Sequence, residues 1–250
     1  MPSSRAATPG VFDKYIPQAH GAAVMGRPRI IIVDHPLVQE QLTIVRDKGS
    51  SQTEFRKAIF SLGRYMAYEF LRTAETADVT VQTPFGRAKG KKVKGKDRMV
   101  IILVLRAAIP FVEGMYGSFP RARTGIVSAW RGKPPGFRID MKYSRIPEIG
   151  DDVVVVADPM LATGHTLRQV AELALAGTKP KRVAFFSIIA TRRGIEHVAE
   201  RFPKADFYTC AIDPQLDSHG YIVPGLGDAG DRAFGAPHRR GGAVSPHAGF

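Results

Sequence analysis

The stretch Val153 to Leu167, VVVVADPMLATGHTL, sets four valines ahead of an acid and then a run of small and hydroxylated residues that opens into a helical pattern. A run apolar on both faces is what a strand buried within a parallel sheet requires. Past Ala157, Asp158-Pro159-Met160 takes the chain out of that strand, and Leu161-Ala162-Thr163-Gly164-His165-Thr166 leads into a helix that begins near Leu167. Backbone N–H groups in such a loop and in the first helical turn have no partners inside the helix, and the dipole there favours negative charge. A turn of this kind cradles a phosphate. Thr163 and Thr166 add hydroxyl donors, and Gly164 lets the main chain approach closely. Asp158 would repel a bare phosphate, so its natural partners are sugar hydroxyls, which donate to a carboxylate. Acid and cradle together imply a sugar phosphate. The competing reading is an ordinary helix start with a Thr as its N-cap. A Walker loop is excluded, because neither Gly-Lys-Ser nor Gly-Lys-Thr follows, and the GxGxxG spacing of a dinucleotide fold is absent.

Outward from this turn the same alternation repeats. Arg98–Leu105, Thr124–Trp130, Asp152–Ala157, Arg182–Ala190 and Asp206–Ile212 read as strands, and Ile109–Tyr116, Thr166–Ala176 and Arg193–Arg201 as helices between them. Upstream, Arg29–Val33 reads as a strand and His35–Lys48 as a helix with Leu37, Leu42, Ile44 and Val45 along one side. A second helix follows a capping box at Ser51-Gln52-Thr53-Glu54, with a core stripe of Phe55, Ile59, Leu62, Met66 and Phe70. The pattern predicts an α/β fold, an open and mostly parallel sheet with helices on both faces, whose ligands gather beyond the carboxyl ends of the strands. Residues 28–235 form the expected domain. Residues 1–27 and 236–250, rich in Gly, Pro, Ala and Ser, read as a disordered extension and a flexible tail.

Composition narrows the function. No apolar run reaches the roughly 18 residues of a membrane span, and the first residues lack the apolar core of a secretory signal, so a cytoplasmic location is expected. The single cysteine, Cys210, sits in a strand-like setting and is given no catalytic role. No metal-ligand spacing is present. Lys plus Arg number 36 against 23 acids, a net +13, and nearly half of that excess falls in Phe85–Arg98, with seven basic residues against one acid. Thr83-Pro84-Phe85-Gly86 reads as a turn, so this stretch is a projecting basic hairpin. It reads as a solvated ribbon guarding a sheet edge rather than as a nucleic-acid patch, because no aromatic platform is interleaved with its lysines.

Several motifs then converge. DPMLATGHT resembles the phosphoribosyl pyrophosphate (PRPP) loop of type I phosphoribosyltransferases, and Gly220–Gly235, GYIVPGLGDAGDRAFG, is similar to the base-binding signature of the uracil phosphoribosyltransferase family. LRAA at Leu105–Ala108, followed by PFVEG, and FPRARTG at Phe119–Gly125 match in the same order. The resemblance covers about residues 29 to 235 and implies transfer of the phosphoribosyl group of PRPP to uracil, giving uridine monophosphate (UMP) and pyrophosphate, with Mg²⁺ carried by PRPP. It assigns Arg106, directly after a buried strand, to the pyrophosphate loop, and Arg131 to a second PRPP contact. Asp158, Pro159, Met160, Leu161, Ala162, Thr163, Gly164, His165 and Thr166 become the PRPP loop. Ile222, Gly227, Asp228 and Ala229 become the uracil site, with Asp228 also facing PRPP and its metal. Arg106 and Asp228 are the expected catalytic residues. Arg131–Ile149 resembles the flexible flap that closes over the centre, with Lys133, Arg138, Lys142 and Arg145 as possible polyphosphate contacts.

The family commonly has TGGS or TGGT where this chain has Thr163-Gly164-His165-Thr166. A positive φ at His165 would be strained by its Cβ, so either the loop uses negative φ there or the cradle is altered. The imidazole either aids the 5′-phosphate when protonated or points at solvent. The resemblance further implies a homodimer or homotetramer, with the hairpin as an arm towards a neighbouring subunit, and in parts of the family a triphosphate effector such as GTP. Two rival functions stay open: an RNA-binding pyrimidine regulator on the same fold, and a phosphoribosyltransferase for another base. The glycine-rich stretch could also be a plain linker, a reading opposed by its embedded Ile222, Val223 and Leu226.

Overall fold

The computed structural model describes residues 28–131 and 139–236, so the expectations for 1–27, for 237–250 and for Lys133 and Arg138 lie outside the described residues. In chain order the elements are β1 (Arg29–Ile32), α1 (Pro36–Arg46), α2 (Gln52–Leu71), β2 (Thr76–Thr83), β3 (Gly86–Val93), β4 (Met99–Leu105), α3 (Ala108–Met115), β5 (Arg123–Arg131) and β6 (Ile139–Arg145). Then come β7 (Val153–Ala157), β8 (Met160–Leu161), α4 (His165–Leu175), β9 (Arg182–Thr191), α5 (Arg192–Arg201), β10 (Asp206–Asp213), β11 (Gln215–Leu216), β12 (Ile222–Val223) and α6 (Ala229–Phe234). The main sheet runs β1-β10-β9-β7-β4-β5-β6, with β8 also paired to β9. All of its pairings are parallel except that of the edge strand β6 with β5.

Alternation along the central strands divides the core. In β4, Met99, Ile101 and Leu103 join the side chains of α1, α2, α3 and α6, while Val100, Ile102 and Val104 join those of α4 and α5. Complete burial of each large aliphatic side chain contributes about 1.5 to 3 kcal/mol, so a strand buried on both faces anchors the sheet. On α1 the buried stripe is Val38, Leu42 and Val45, whereas Leu37 is exposed, a shift of one position from the expected side. The capping box at Ser51 and Glu54 is present, and the α2 stripe is buried throughout. Helices α2 and α3 cross at Gly63 and Gly114, where a Cβ on either would overlap a backbone carbonyl of the other helix, that of Phe111 or of Phe60.

Two readings of local structure are corrected. The chain does not quit the sheet at Asp158-Pro159-Met160: the Pro159 carbonyl accepts from the Ile188 and Ile189 amides, and Met160–Leu161 pairs again with β9 before the loop begins. Nor is all of Arg131–Ile149 a flap. Ile139–Arg145, which includes Lys142 and Arg145, is strand β6, bonded antiparallel to β5 through an irregularity at Ser128/Ala129. The basic segment does form a hairpin, with β2 and β3 pairing from Thr76↔Val93 to Thr83↔Gly86 in a sheet of their own. Because side chains alternate, Arg87, Lys89 and Lys91 share one face with Asp78, which binds Lys91 at 2.7 Å. Ala77, Val79, Val81 and Ala88 share the other with Lys92.

At the amino ends of β5 and β7 the buried carboxylate of Asp152 binds Arg123 at 2.6 Å and accepts the Gly150 amide at 2.9 Å. The Arg123 hydrogen bond holds its carboxyl below the ordinary value of 3.8, assisted by the Gly150 amide and by Arg98, against an opposing contribution from burial. A carboxylate depressed by folding stabilises the native state above its unfolded pKa, and that stabilisation is lost as pH falls through the folded pKa. Asp152→Asn is therefore expected to cost about 1 kcal/mol at neutral pH, since Arg123 is half exposed and screened. Urea unfolding at pH 7 and at pH 3 checks this: the gap between variant and wild type should narrow at the lower pH.

Candidate active site

Strand β4 is followed by a connection to β5 on one side of it, and the chain then returns to place β7 on its other side, with β9, β10 and β1 beyond. Such a reversal of winding opens a crevice at the carboxyl ends of the two strands. Leu103 pairs with Ala157, so Arg106 and Asp158 leave the sheet at adjoining positions. Asp158 is half-buried, and its Oδ1 accepts the Met160 amide at 3.1 Å, which shapes the turn.

The phosphate loop is set by its backing. Gly164 is the N-cap of α4 with φ of 82°, and no side chain bonds to that cap, which overturns the Thr-cap reading. The first turn of α4 thus presents its amides to the crevice with no side-chain oxygen standing in for an anion. The left-handed residue is Gly164, while His165 is the first helical residue, so the loop has no strain at the position where this chain departs from the family pattern. The His165 side chain is exposed, yet it does not simply point at solvent: its ring lies 4.3 Å from that of His197 on α5, tilted by 32°. Beneath the loop, Thr191 Oγ1 donates to the Ala162 carbonyl at 2.6 Å and accepts the Gly194 amide at 2.9 Å. A Cβ on Gly164 would stand 2.5 Å from the Gly194 carbonyl oxygen, and one on Gly194 would overlap the Ala162 carbonyl. Thr191 and Gly194, which sequence reasoning missed, therefore fix the height of the cradle; the only signal for them was a Thr-Arg-Arg-Gly run at the end of a strand.

Across the crevice, the glycine-rich stretch is held in place at several points. The antiparallel pair β11–β12 carries the buried Ile222, and Gly225 and Gly227 have φ of 62° and 77°. Leu226 is buried but Val223 is exposed, so two of the three apolar residues cited against a linker pack inward. Arg46 binds both carboxylate oxygens of Asp213, at 2.8 and 2.6 Å, and the Gly225 carbonyl at 2.8 Å, while Asp213 also accepts the Gly225 amide at 2.8 Å. Burial pushes the Asp213 carboxyl up, and the hydrogen bonds from Arg46 and Gly225 outweigh it, holding the group below its ordinary value. Arg232 donates to the Val45, Leu226 and Asp47 carbonyls, and its guanidinium lies 4.2 Å from the centre of the Phe55 ring. Asp228 is the N-cap of α6 and accepts the Asp231 amide at 2.8 Å; Asp231 in turn binds Arg106 at 2.6 Å. One ion pair thus spans from the end of β4 to the glycine-rich stretch.

The predicted site residues are accounted for as follows. Arg106 follows β4, and Asp158–Thr166 follows β7 and runs through β8 into the first residues of α4. Ile222 in β12 and Gly227–Ala229 at the start of α6 come after β10, and Arg106 is joined to α6 directly. Arg131 is the last residue of β5, paired with Ile139 of the edge strand β6. Cys210 is buried, and burial pushes its thiol up to about 12, which fits a packing role.

Comparison with known proteins decides the family. A model described as uracil phosphoribosyltransferase matches residues 32–236. The chain belongs to the uracil phosphoribosyltransferase family. It is 49% identical over 205 residues to the uracil phosphoribosyltransferase of Pyrococcus furiosus, covering 82% of this chain and 88% of that one. To the Methanothermobacter thermautotrophicus protein of the same name it is 44% identical over 211 residues, covering 84% and 97%. The solved AQ2163 protein of Aquifex aeolicus superposes with a TM-score of 0.76 at 31% identity, covering 82% of this chain and 98% of that one.

Through its bonds to the Ala162 carbonyl and the Gly194 amide, Thr191 positions the loop at residues 162–165, the segment expected to hold a phosphate. Thr191→Val keeps its volume and removes both hydrogen bonds, leaving a buried carbonyl and amide unpaired at a cost of about 1 to 3 kcal/mol. Calorimetric titration with ribose 5-phosphate is expected to show affinity falling several-fold in that variant and returning in Thr191→Ser.

Proposed function

We propose that this protein transfers the 5-phosphoribosyl group of PRPP to uracil, yielding UMP and pyrophosphate. The observation that carries the reading is the meeting, at one topological reversal, of an uncapped helix start, an acid beside it, an arginine after the neighbouring strand and a glycine-rich stretch linked to that arginine. A sugar phosphate fits the first two. The 5′-phosphate takes the amides and hydroxyls of Asp158–Thr166, and Asp158 accepts from ribose hydroxyls. Arg106 takes the pyrophosphate, with Arg131 as a second contact; Arg145, paired with Ile126 lower in the sheet, lies away from the carboxyl rim. The uracil edge pairs with main-chain groups of Ile222, Gly227, Asp228 and Ala229, where small residues let a planar base approach.

In the reaction, uracil N1 forms a bond to the anomeric carbon as that carbon's bond to the diphosphate oxygen breaks, and the N1 proton passes to water. Positive character develops on the ribose and negative charge on the leaving diphosphate. Arg106 neutralises the latter, and the Asp158 and Asp228 carboxylates tolerate the former. Among the described residues no three His, Cys, Asp or Glu side chains gather to hold a metal. The exposed carboxylate of Asp228 nevertheless suits Mg²⁺, which takes one or two carboxylates alongside phosphate oxygens. An ion carried in by PRPP would neutralise diphosphate charge. Cytosine is disfavoured, because its C4 amino group meets a donor where uracil presents a carbonyl, leaving buried groups unpaired.

Incubation with PRPP, Mg²⁺ and labelled uracil is expected to give labelled UMP in the wild-type protein and at least a hundredfold less in Arg106→Ala and in Asp228→Ala, of the order seen when a transition-state charge partner is removed. Adenine and hypoxanthine should not compete; competition by either would point to a different base.

The assembly we infer is a homo-oligomer of two or four chains docked through the β2–β3 hairpin. Its support is the face of Ala77, Val79, Val81 and Ala88, which carries Lys92 as its one lysine, with Val81 49% exposed, and Phe85 102% exposed at the tip. A small apolar face favours a protein neighbour over RNA. Sedimentation of Val81→Lys is expected to show a smaller species than wild type. A cytoplasmic location and an effector such as GTP accord with the family, and no described residue is assigned to the effector.

A further inference from the structure

The link between the two halves of the site is a single charge pair, and we propose that Asp231 competes with pyrophosphate for Arg106 and so sets the affinity of the leaving-group subsite. The inference rests on the assignment of Arg106 to the pyrophosphate made above.

Arg106 Nη2 lies 2.6 Å from Asp231 Oδ1, and Nη1 donates to the Gly235 carbonyl at 3.4 Å. Both partners open to solvent, with side chains 43% and 37% exposed, so a dissolved anion reaches the guanidinium without unfolding anything. The pair cannot give way from the helix side. Helix α6 is fastened by Arg232 to the carbonyls of Val45, Leu226 and Asp47, and the Asp231 amide is bound to Asp228. Gly230 lies against the arginine, where an added Cβ would stand 3.4 Å from Nη2, so the guanidinium rests on a smooth surface and can leave it by side-chain rotation. Pyrophosphate, with several negative charges and paired oxygens, is the stronger ligand for a guanidinium than one carboxylate. Once Arg106 turns to the diphosphate, Asp231 remains close by as an uncompensated like charge. Loss of the pair and the remaining repulsion both oppose binding, so removal of the Asp231 charge tightens it. A carboxylate that merely aimed Arg106 at its ligand would have the opposite effect when removed.

The test is calorimetric titration of the full-length protein with inorganic pyrophosphate in Mg²⁺, on wild type, Asp231→Asn, Asp231→Glu, Arg106→Ala and the Arg106→Ala/Asp231→Asn double variant. Asp231→Asn is expected to lower Kd by about threefold to tenfold, the scale of an exposed ion pair plus a nearby like charge. Asp231→Glu should stay within about twofold of wild type, because it keeps the charge within reach of the same donor. In the Arg106→Ala background the Asn substitution should change Kd by less than about twofold, because the competition has lost its object. An unchanged or raised Kd in Asp231→Asn, with Arg106→Ala still weakening binding, overturns the competition and leaves the Arg106 assignment standing. Pyrophosphate bound as tightly by Arg106→Ala as by wild type overturns that assignment itself. Should Asp231→Asn fail to fold, Asp231→Ser carries the same expectation.

Discussion

When two parallel neighbours send their following helices to opposite faces of a sheet, nothing in the local chain covers the gap between their carboxyl ends. Strands β4 and β7 are such a pair: α3, after β4, packs with α1 and α2, whereas α4, after β7, packs with α5 on the other side. The gap is open because of connectivity, and polar residues at its edges are held by rigid strands that are buried on both faces. Every part of the proposed site depends on that arrangement. Arg106 and Asp158 are neighbours because Leu103 and Ala157 are in register, although 52 positions separate the two polar residues in sequence.

Rigidity around this gap comes from polar anchors as much as from apolar packing. Thr191 is buried and ties the phosphate loop to the start of α5; Asp213 is buried and ties Gly225 to Arg46. Both anchors grip main-chain atoms, which leaves the loop's small side chains out of the anchoring. Neither carries the chemistry. Each limits the positions that a glycine-containing loop can adopt, and so lowers the ordering entropy that a ligand would otherwise have to oppose.

How much of this was legible in the sequence depended on whether the determining contacts were local. Strand and helix calls from β4 to β10 needed only periodicity, and they hold because burial on both faces leaves a continuous apolar run, as in VVVV at Val153–Val156. The capping box at Ser51 is local too. The pairing of Met160–Leu161 with β9 was not visible, since two residues carry no period and the pairing rests on the Pro159 carbonyl meeting the Ile188 and Ile189 amides. Strand β6 was hidden for a related reason: Ile139–Arg145 is an edge strand rich in polar residues, and charge on an edge reads from sequence as a loop. The motif residues Arg106, Asp158 and Asp228 follow β4, β7 and β12 in turn. Thr191, Gly194, Arg46, Asp213 and Asp231 did not announce themselves, because their partners lie far along the chain or, for Asp231, because the motif names the acid but not the arginine it binds.

The histidine at position 165 shows how a departure from a family pattern can be harmless to backbone geometry and still change the neighbouring surface. Of two adjacent small positions, only Gly164 has a positive φ, and its closeness to the Gly194 carbonyl bars a side chain. His165 has helical backbone, which any L-residue adopts, so its side chain costs the loop nothing. The ring instead enters a polar neighbourhood on the α4–α5 surface: His197 stacks on it, Glu200 lies 3.6 Å from His197, and Arg168 joins Glu200 at 3.0 Å and Glu172 at 3.3 Å. The ring is thereby engaged with the surface of α5. What the histidine alters is the side-chain surface beside the start of α4, with the left-handed turn kept at Gly164.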